Sequence, residues 1–195
     1  MDKMTAMANM QLDELVRLID PTLAVKRQLE PSSLNVCEVE KGGNRYVLKV
    51  SELCALNNWK AFELNAEREI LRIAHGVQGI THLIHDYGDV KGYSAILKEY
   101  FEGKNPLEIS IAGEPFMQSA GNKLKETLGR LHSLGFAGLD IKPYNVIISP
   151  DGRDARIIDL GMYITAGEVE PEQFQQRVIS DNSCLQNTLS YFNTK

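Results

Sequence analysis

The patterning of this chain predicts an α+β fold, with a five-stranded antiparallel sheet and one helix in its first half and helices in its second. Three observations carry that expectation. Three strand-like segments fall within about thirty residues ahead of a helix; two more strands follow, joined by a tight turn; then come a long apolar-striped helix, a polar loop and a short hairpin.

Element by element, Leu12, Leu15, Val16 and Ile19 recur at helical spacing, and Asp20-Pro21 ends that helix. Strands are expected over 23–30 and 35–40, separated by Pro31-Ser32-Ser33. Lys41-Gly42-Gly43-Asn44 then makes a hairpin turn into a strand over 45–50. A helix over roughly 55–75 is predicted to bury Phe62, Ala66, Ile70 and Ile73 on one face. Strands over 82–89 and 93–100 are joined at Lys91-Gly92. Beyond Gly103 the chain turns helical, and a helix over 115–134 carries Leu124, Leu128 and Leu131 as a stripe, with Gly135 where a helix C-cap is expected. Short strands over 145–148 and 155–158 flank Pro150-Asp151-Gly152, and 170–189 reads as one or two helices.

Composition narrows the function classes. With 195 residues, 43% of them hydrophobic, the chain can bury a core as one domain or one compact unit with two small lobes. Its 21 basic against 26 acidic residues give a formal charge of -5, which argues against a nucleic-acid partner. No run of about 18 apolar residues exists, so no membrane span is expected. The first twenty residues lack the basic-then-apolar pattern of a Sec signal peptide. Cys37, Cys54 and Cys184 are odd in number and lack zinc spacing, which fits free thiols in a reducing, cytoplasmic-type compartment. His75 and His132 read as capping or packing residues, and the amphipathic helix over 13–19 as one that docks on the first sheet.

The element order resembles that of the protein kinase fold, and residues at matching places resemble its motifs from about Leu23 to Gly161. Lys49, in Val47-Leu48-Lys49, is similar to the third-strand lysine that contacts the α- and β-phosphates. Glu67-Arg68-Glu69-Ile70-Leu71 resembles the helix whose glutamate pairs with that lysine; Glu67 is the first choice and Glu69 the second. Glu99-Tyr100-Phe101-Glu102-Gly103 looks like the hinge whose backbone bonds adenine, with Lys98 in the gatekeeper position. Asp140-Ile141-Lys142-Pro143-Tyr144-Asn145 is similar to the catalytic loop Asp-x-Lys-Pro-x-Asn. The resemblance implies that Asp140 positions or accepts the proton of the attacking hydroxyl, that Lys142 neutralises the transferring phosphoryl group, and that Asn145 holds Mg²⁺. Asp159-Leu160-Gly161, nineteen residues beyond Asp140, resembles the Asp-Phe-Gly motif that supplies the second metal ligand. It further implies nucleotide contacts from Val36, Val47, Ile147, Ser32 and Ser33.

Three departures from the family pattern stand out. The turn Glu30-Pro31-Ser32-Ser33-Leu34-Asn35 has no glycine, and Pro31 has no N–H, leaving the amides of Ser32, Ser33 and Leu34 and two hydroxyls to cap phosphates. Gly138-Leu139-Asp140 stands where the family has His-Arg-Asp, so no arginine waits for a phosphorylated activation loop. Only 34 residues follow Gly161, without Ala-Pro-Glu, which implies a reduced second lobe.

The expectation is therefore a single minimal kinase domain over 1–195, with an N-terminal helix (1–22), an N-lobe and hinge (23–103) and a truncated helical C-lobe (104–195), bilobal overall. It would use ATP and Mg²⁺ to phosphorylate Ser or Thr of a protein partner docked through a folded surface, and would act as a monomer. Its size resembles that of small effector kinases that bacterial pathogens inject into host cells, some of which act on chaperones or the ubiquitin system. Two other readings stand beside it: a pseudokinase or binding module, favoured by the glycine-free turn, and a small-molecule phosphotransferase, against which Lys142 counts.

Overall fold

A computed structural model describes residues 11–29, 36–53, 59–114 and 116–192, arranged as two compact units. The first unit comprises residues 1–64 and 83–100, the second residues 65–82 and 101–195.

In the first unit, helix α1 (Leu12–Ile19) starts with Asp13 and Glu14 and ends near Arg17, which complements the helix dipole at both ends. Five antiparallel strands follow: β1 (Ala24–Gln28), β2 (Val36–Lys41), β3 (Asn44–Glu52), β4 (Leu83–Val90) and β5 (Tyr93–Glu99), in the order β1-β2-β3-β5-β4. Alternation puts Cys37, Val39, Leu48, Val50, Ala95 and Leu97 on one face, where they form a core with Leu15, Val16 and Ile19 of α1. The helix therefore docks on the sheet, as its stripe predicts. Asp20 fastens its end: one carboxylate oxygen accepts from the Thr22 amide and hydroxyl at 2.9 and 2.6 Å, the other from Lys41 Nζ at 3.0 Å and Tyr87 Oη at 2.7 Å. Burial raises the Asp20 pKa, but these donors outweigh it and hold the carboxyl well below the ordinary carboxylate range.

The opposite sheet face carries Val36, Glu38, Val47 and Lys49, paired across β2 and β3 as Val36 with Lys49 and Glu38 with Val47. Glu38 is buried between two guanidiniums, Arg45 Nε at 2.6 Å and Arg27 Nε at 2.9 Å. Arg45 also lies over the Tyr100 ring, 3.8 Å from its centroid.

Helix α2 (Trp59–Ile73) corrects one expectation. Phe62 is 70% and Ile73 51% exposed, whereas Ala61, Leu64, Glu67, Ile70 and Leu71 are buried. The buried stripe is rotated from the apolar one because it contains a carboxylate, Glu67, which a hydropathy count places outside. The division between the units falls within this helix, after Leu64.

In the second unit, α3 (Pro106–Ala112) begins with a reciprocal capping box between Asn105 and Glu108 and ends at Gly113. Helix α4 (Gln118–Ser133) buries Leu124, Leu128 and Leu131 as expected, together with Ala120 and Thr127. Strand β6 (Phe136–Ala137) leads to the polar loop, which contains a 3-10 turn over Pro143–Asn145; the hairpin β7 (Val146–Ile148) and β8 (Ala155–Ile157) follows. Strand β9 (Ile164–Thr165) returns to pair with β6, a ladder too short to show in any periodicity. The tail is one helix, α5 (Pro171–Ser190). No helix among the described residues is long and apolar enough to cross a membrane.

Candidate active site

The polar loop between β6 and β7 holds its side chains by local hydrogen bonds. Pro143 starts the 3-10 turn, where its fixed φ suits a helical first residue and its missing N–H costs nothing. The Asn145 amide closes the turn on Lys142 O at 2.9 Å. From there the Asn145 side chain reaches back: Nδ2 donates to Asp140 O at 3.0 Å and to Asp140 Oδ2 at 3.3 Å. Lys142 Nζ donates to the same Oδ2 at 2.7 Å. Both charged side chains remain about half exposed, so their pairing adds at most about 1 kcal/mol and leaves them accessible to a ligand.

Asp140 has φ 36°, in the left-handed region that a non-glycine residue enters at a cost of about 1 kcal/mol or more. The surrounding bonds over-determine that conformation. Asp181, on α5 and 3% exposed, accepts from the Gly138 amide at 2.8 Å and the Leu139 amide at 2.9 Å, the two residues that enter the turn. His132 Nε2, at the end of α4, lies 3.0 Å from the same Asp181 oxygen that accepts from Gly138. One buried carboxylate thus gathers a helix end, a loop and a second helix. The sequence does not single out Asp181, and His132 reads there as a capping or packing residue. The available signal was an acidic residue in register with the buried Leu185, Thr188 and Leu189 of an otherwise polar helix.

The hairpin brings Asp159 to the loop. The Ile158 amide donates to Asn145 O at 2.9 Å, so Asp159 begins one residue after a direct tie to Asn145. Ile157 is anchored behind it, its amide on Gly79 O at 2.9 Å and its carbonyl accepting from Thr81 at 3.2 Å. Asp159 Oδ1 accepts from the Gly161 amide at 3.2 Å, a short Asx-type turn, and Leu160 points into the core.

Of the remaining candidates, Glu67, Phe101 and Ile147 belong to the same unit as this loop. Glu67 is 1% exposed on α2. Phe101 carries the Arg156 guanidinium 5.2 Å from its ring centroid, and Ile147 lies on β7 opposite Arg156. Two residues on, Gly103 approaches Ile148 so closely that a Cβ would stand 2.0 Å from its carbonyl oxygen. Glu69 accepts from Tyr163 Oη at 3.1 Å. Lys49, Val36, Val47 and Glu99 belong to the other unit, where Glu99 pairs with Tyr46, and Lys98, opposite Val47, is 2% exposed. Ser32 and Ser33, with the glycine-free turn, lie outside the described residues. A cavity of about 330 Å³ beside Gly103, Ile109 and Ile148 is lined by none of the candidate catalytic residues. Burial pushes the Cys37 thiol up to about 12, which makes it inert rather than nucleophilic.

Among known proteins, the chain is 31% identical over 98 residues to the serine/threonine-protein kinase pkn2 of Myxococcus xanthus. That match covers 46% of this chain and 11% of the pkn2 sequence, so the chain spans a small part of the relative's length. No family model matches the chain.

Proposed function

We propose that the chain is a phosphotransferase that moves the γ-phosphate of ATP to serine or threonine hydroxyls of a protein, with Asp140 as the residue that orients the acceptor. The observation that carries this reading is the bonding of Asn145. Its Nδ2 is committed to Asp140, while its Oδ1 accepts no hydrogen bond from the described residues. Asn145, only 9% exposed, and Asp159, which begins one residue after the Ile158 amide bonded to Asn145 O, each offer a hard oxygen donor. Mg²⁺ is characteristically held by one or two such protein ligands, with phosphates and water completing its shell. The donor set fits it, and no cluster of three or more His, Cys, Asp and Glu side chains able to hold a metal occurs among the described residues.

Bound there, the metal would neutralise charge on the phosphates. The chain's own groups do the rest. Asp140 would accept a hydrogen bond from the incoming hydroxyl and take its proton as the oxygen bonds to the γ-phosphorus and the bond from that phosphorus to the β,γ-bridging oxygen breaks, releasing ADP. Lys142, now on Asp140 Oδ2, would turn its ammonium toward the transferring group, where charge develops. Ile147, in the same unit as the loop, would supply apolar surface for the base. Serine or threonine of a protein as acceptor is supported by Lys142 within the loop and by the likeness to a protein named as a serine/threonine kinase.

Titration calorimetry with ATP, with and without Mg²⁺, tests the binding half of this reading. Mg²⁺ is expected to strengthen ATP binding to the native protein and to have no such effect in Asp159→Ala or Asn145→Ala. Absence of ATP binding under every condition overturns the reading.

A further inference from the structure

Every group named above acts through its own contact with nucleotide, metal or acceptor, yet Asp159 stands at the start of a segment whose position needs a cause. Residues 159–163 leave the hairpin at Ile158 and reach β9 at Ile164. Behind Asp159 the chain is fixed by the Ile157 and Ile158 amides; ahead of it, the first ladder bonds are those of Ile164 and Thr165 with β6. Tyr163 fills the gap. Its ring meets Phe136 of β6 edge to face, with centroids 5.0 Å apart and planes at 87°, and its hydroxyl donates to Glu69 Oε2 of α2 at 3.1 Å.

We propose that Tyr163 is a positioning residue for Asp159: its hydroxyl bond to Glu69 and its ring contact with Phe136 fix the post-Asp159 segment simultaneously to helix α2 and to the strand that enters the catalytic loop. The inference rests on the phosphotransfer reading for what Asp159 does, and on geometry alone for what holds it. Phe136 lies two residues before Gly138, where the Asp181 bonds begin, so one aromatic contact couples the loop of Asp140 to the segment of Asp159. Glu69 lies two residues from Glu67, so the hydroxyl bond ties that segment to the helix turn bearing the buried carboxylate. The bond is charge-assisted, with a neutral donor on an ionised acceptor. Burial first, and then Glu69 itself, hold the phenol well above its ordinary pKa, so it remains a donor throughout the working pH range. It also gives Glu69 a role other than pairing with Lys49.

Tyr163→Phe removes the hydroxyl and keeps the ring; Glu69→Ala removes the acceptor, and Glu69→Gln keeps an acceptor oxygen. In steady-state assays, Tyr163→Phe and Glu69→Ala are expected to raise the Mg²⁺ concentration for half-maximal rate and to lower kcat, each by about fivefold, with the KM for ATP at saturating Mg²⁺ unchanged. Glu69→Gln, which keeps an acceptor oxygen without its charge, should fall between the native protein and Glu69→Ala, and the double variant Tyr163→Phe/Glu69→Ala should be no worse than either single one, because both break one bond. Amide hydrogen exchange, which needs no activity, should accelerate in Tyr163→Phe over residues 160–166 and stay unchanged over 146–157. Native kcat and Mg²⁺ dependence in Tyr163→Phe, or unchanged exchange over 160–166, overturns the proposal. If the native protein transfers no phosphate, the phosphotransfer reading fails by itself and the exchange comparison alone decides whether Tyr163 holds the segment.

Discussion

Asp181 shows how much can hang on one side chain. Two backbone amides, of half-buried Gly138 and buried Leu139, have it as their acceptor. Asp181→Ala strands both, and with about 1–3 kcal/mol for each unsatisfied buried donor the loss is expected to be about 3 kcal/mol, measured by urea denaturation. Asp20 gives a pH-dependent counterpart. Its folded pKa lies below the unfolded value of about 3.9, so its bonds contribute fully above that value and are lost as pH falls toward the folded pKa. Asp20→Ala should therefore be less stable than the native protein at pH 7, and the difference in denaturation midpoint should shrink below about pH 4; a difference that is constant with pH contradicts this account. At this scale, one short motif brings Asp140, Lys142 and Asn145 forward together in the sequence, and the structure joins them by bonds between residues at most five apart. Asp181 has no such motif: its bonds span 42 to 49 residues, and no local pattern announces them.

Among the elements, the five strands of the sheet fall within one or two residues of their expected ends, and the tight turns at Lys41–Asn44 and Lys91-Gly92 mark two of the hairpins. Helix α2 was located, but its buried face was misassigned because Glu67 interrupts the apolar stripe. The two faces make a direct comparison: Leu64→Ala should cost about 2–5 kcal/mol, whereas Phe62→Ser should stay within about 0.5 kcal/mol, by denaturant unfolding. Equal costs would mean the helix is rotated from its observed register. The β6–β9 ladder, two residues a side, leaves no periodic trace and depends on contacts such as Phe136 with Tyr163. Gly103 is similar in kind, since its need arises from the approach to Ile148, which a sequence does not display. Gly103→Ala drives a Cβ against that carbonyl and should break the paired bonds between Lys104 and Ile148, lowering stability by about 2 kcal/mol and speeding amide exchange at both residues.

Across the whole molecule, the two units distribute the proposed chemistry unevenly. The second contains the loop of Asp140 and the hairpin, joined by the Ile158 amide on Asn145 O; the first contains Lys49, on a sheet face with Val36, Glu38 and Val47. The central claim is that this assembly transfers phosphate, and the measurement closest to it follows label from [γ-³²P]ATP in the presence of Mg²⁺ to a generic protein acceptor, with the native protein beside Asp140→Ala. The account predicts label on serine or threonine with the native protein, and a rate about 100-fold or more lower in Asp140→Ala while ATP binding persists. Equal labelling by the two proteins, or no transfer by the native protein to any acceptor or to itself, would contradict it.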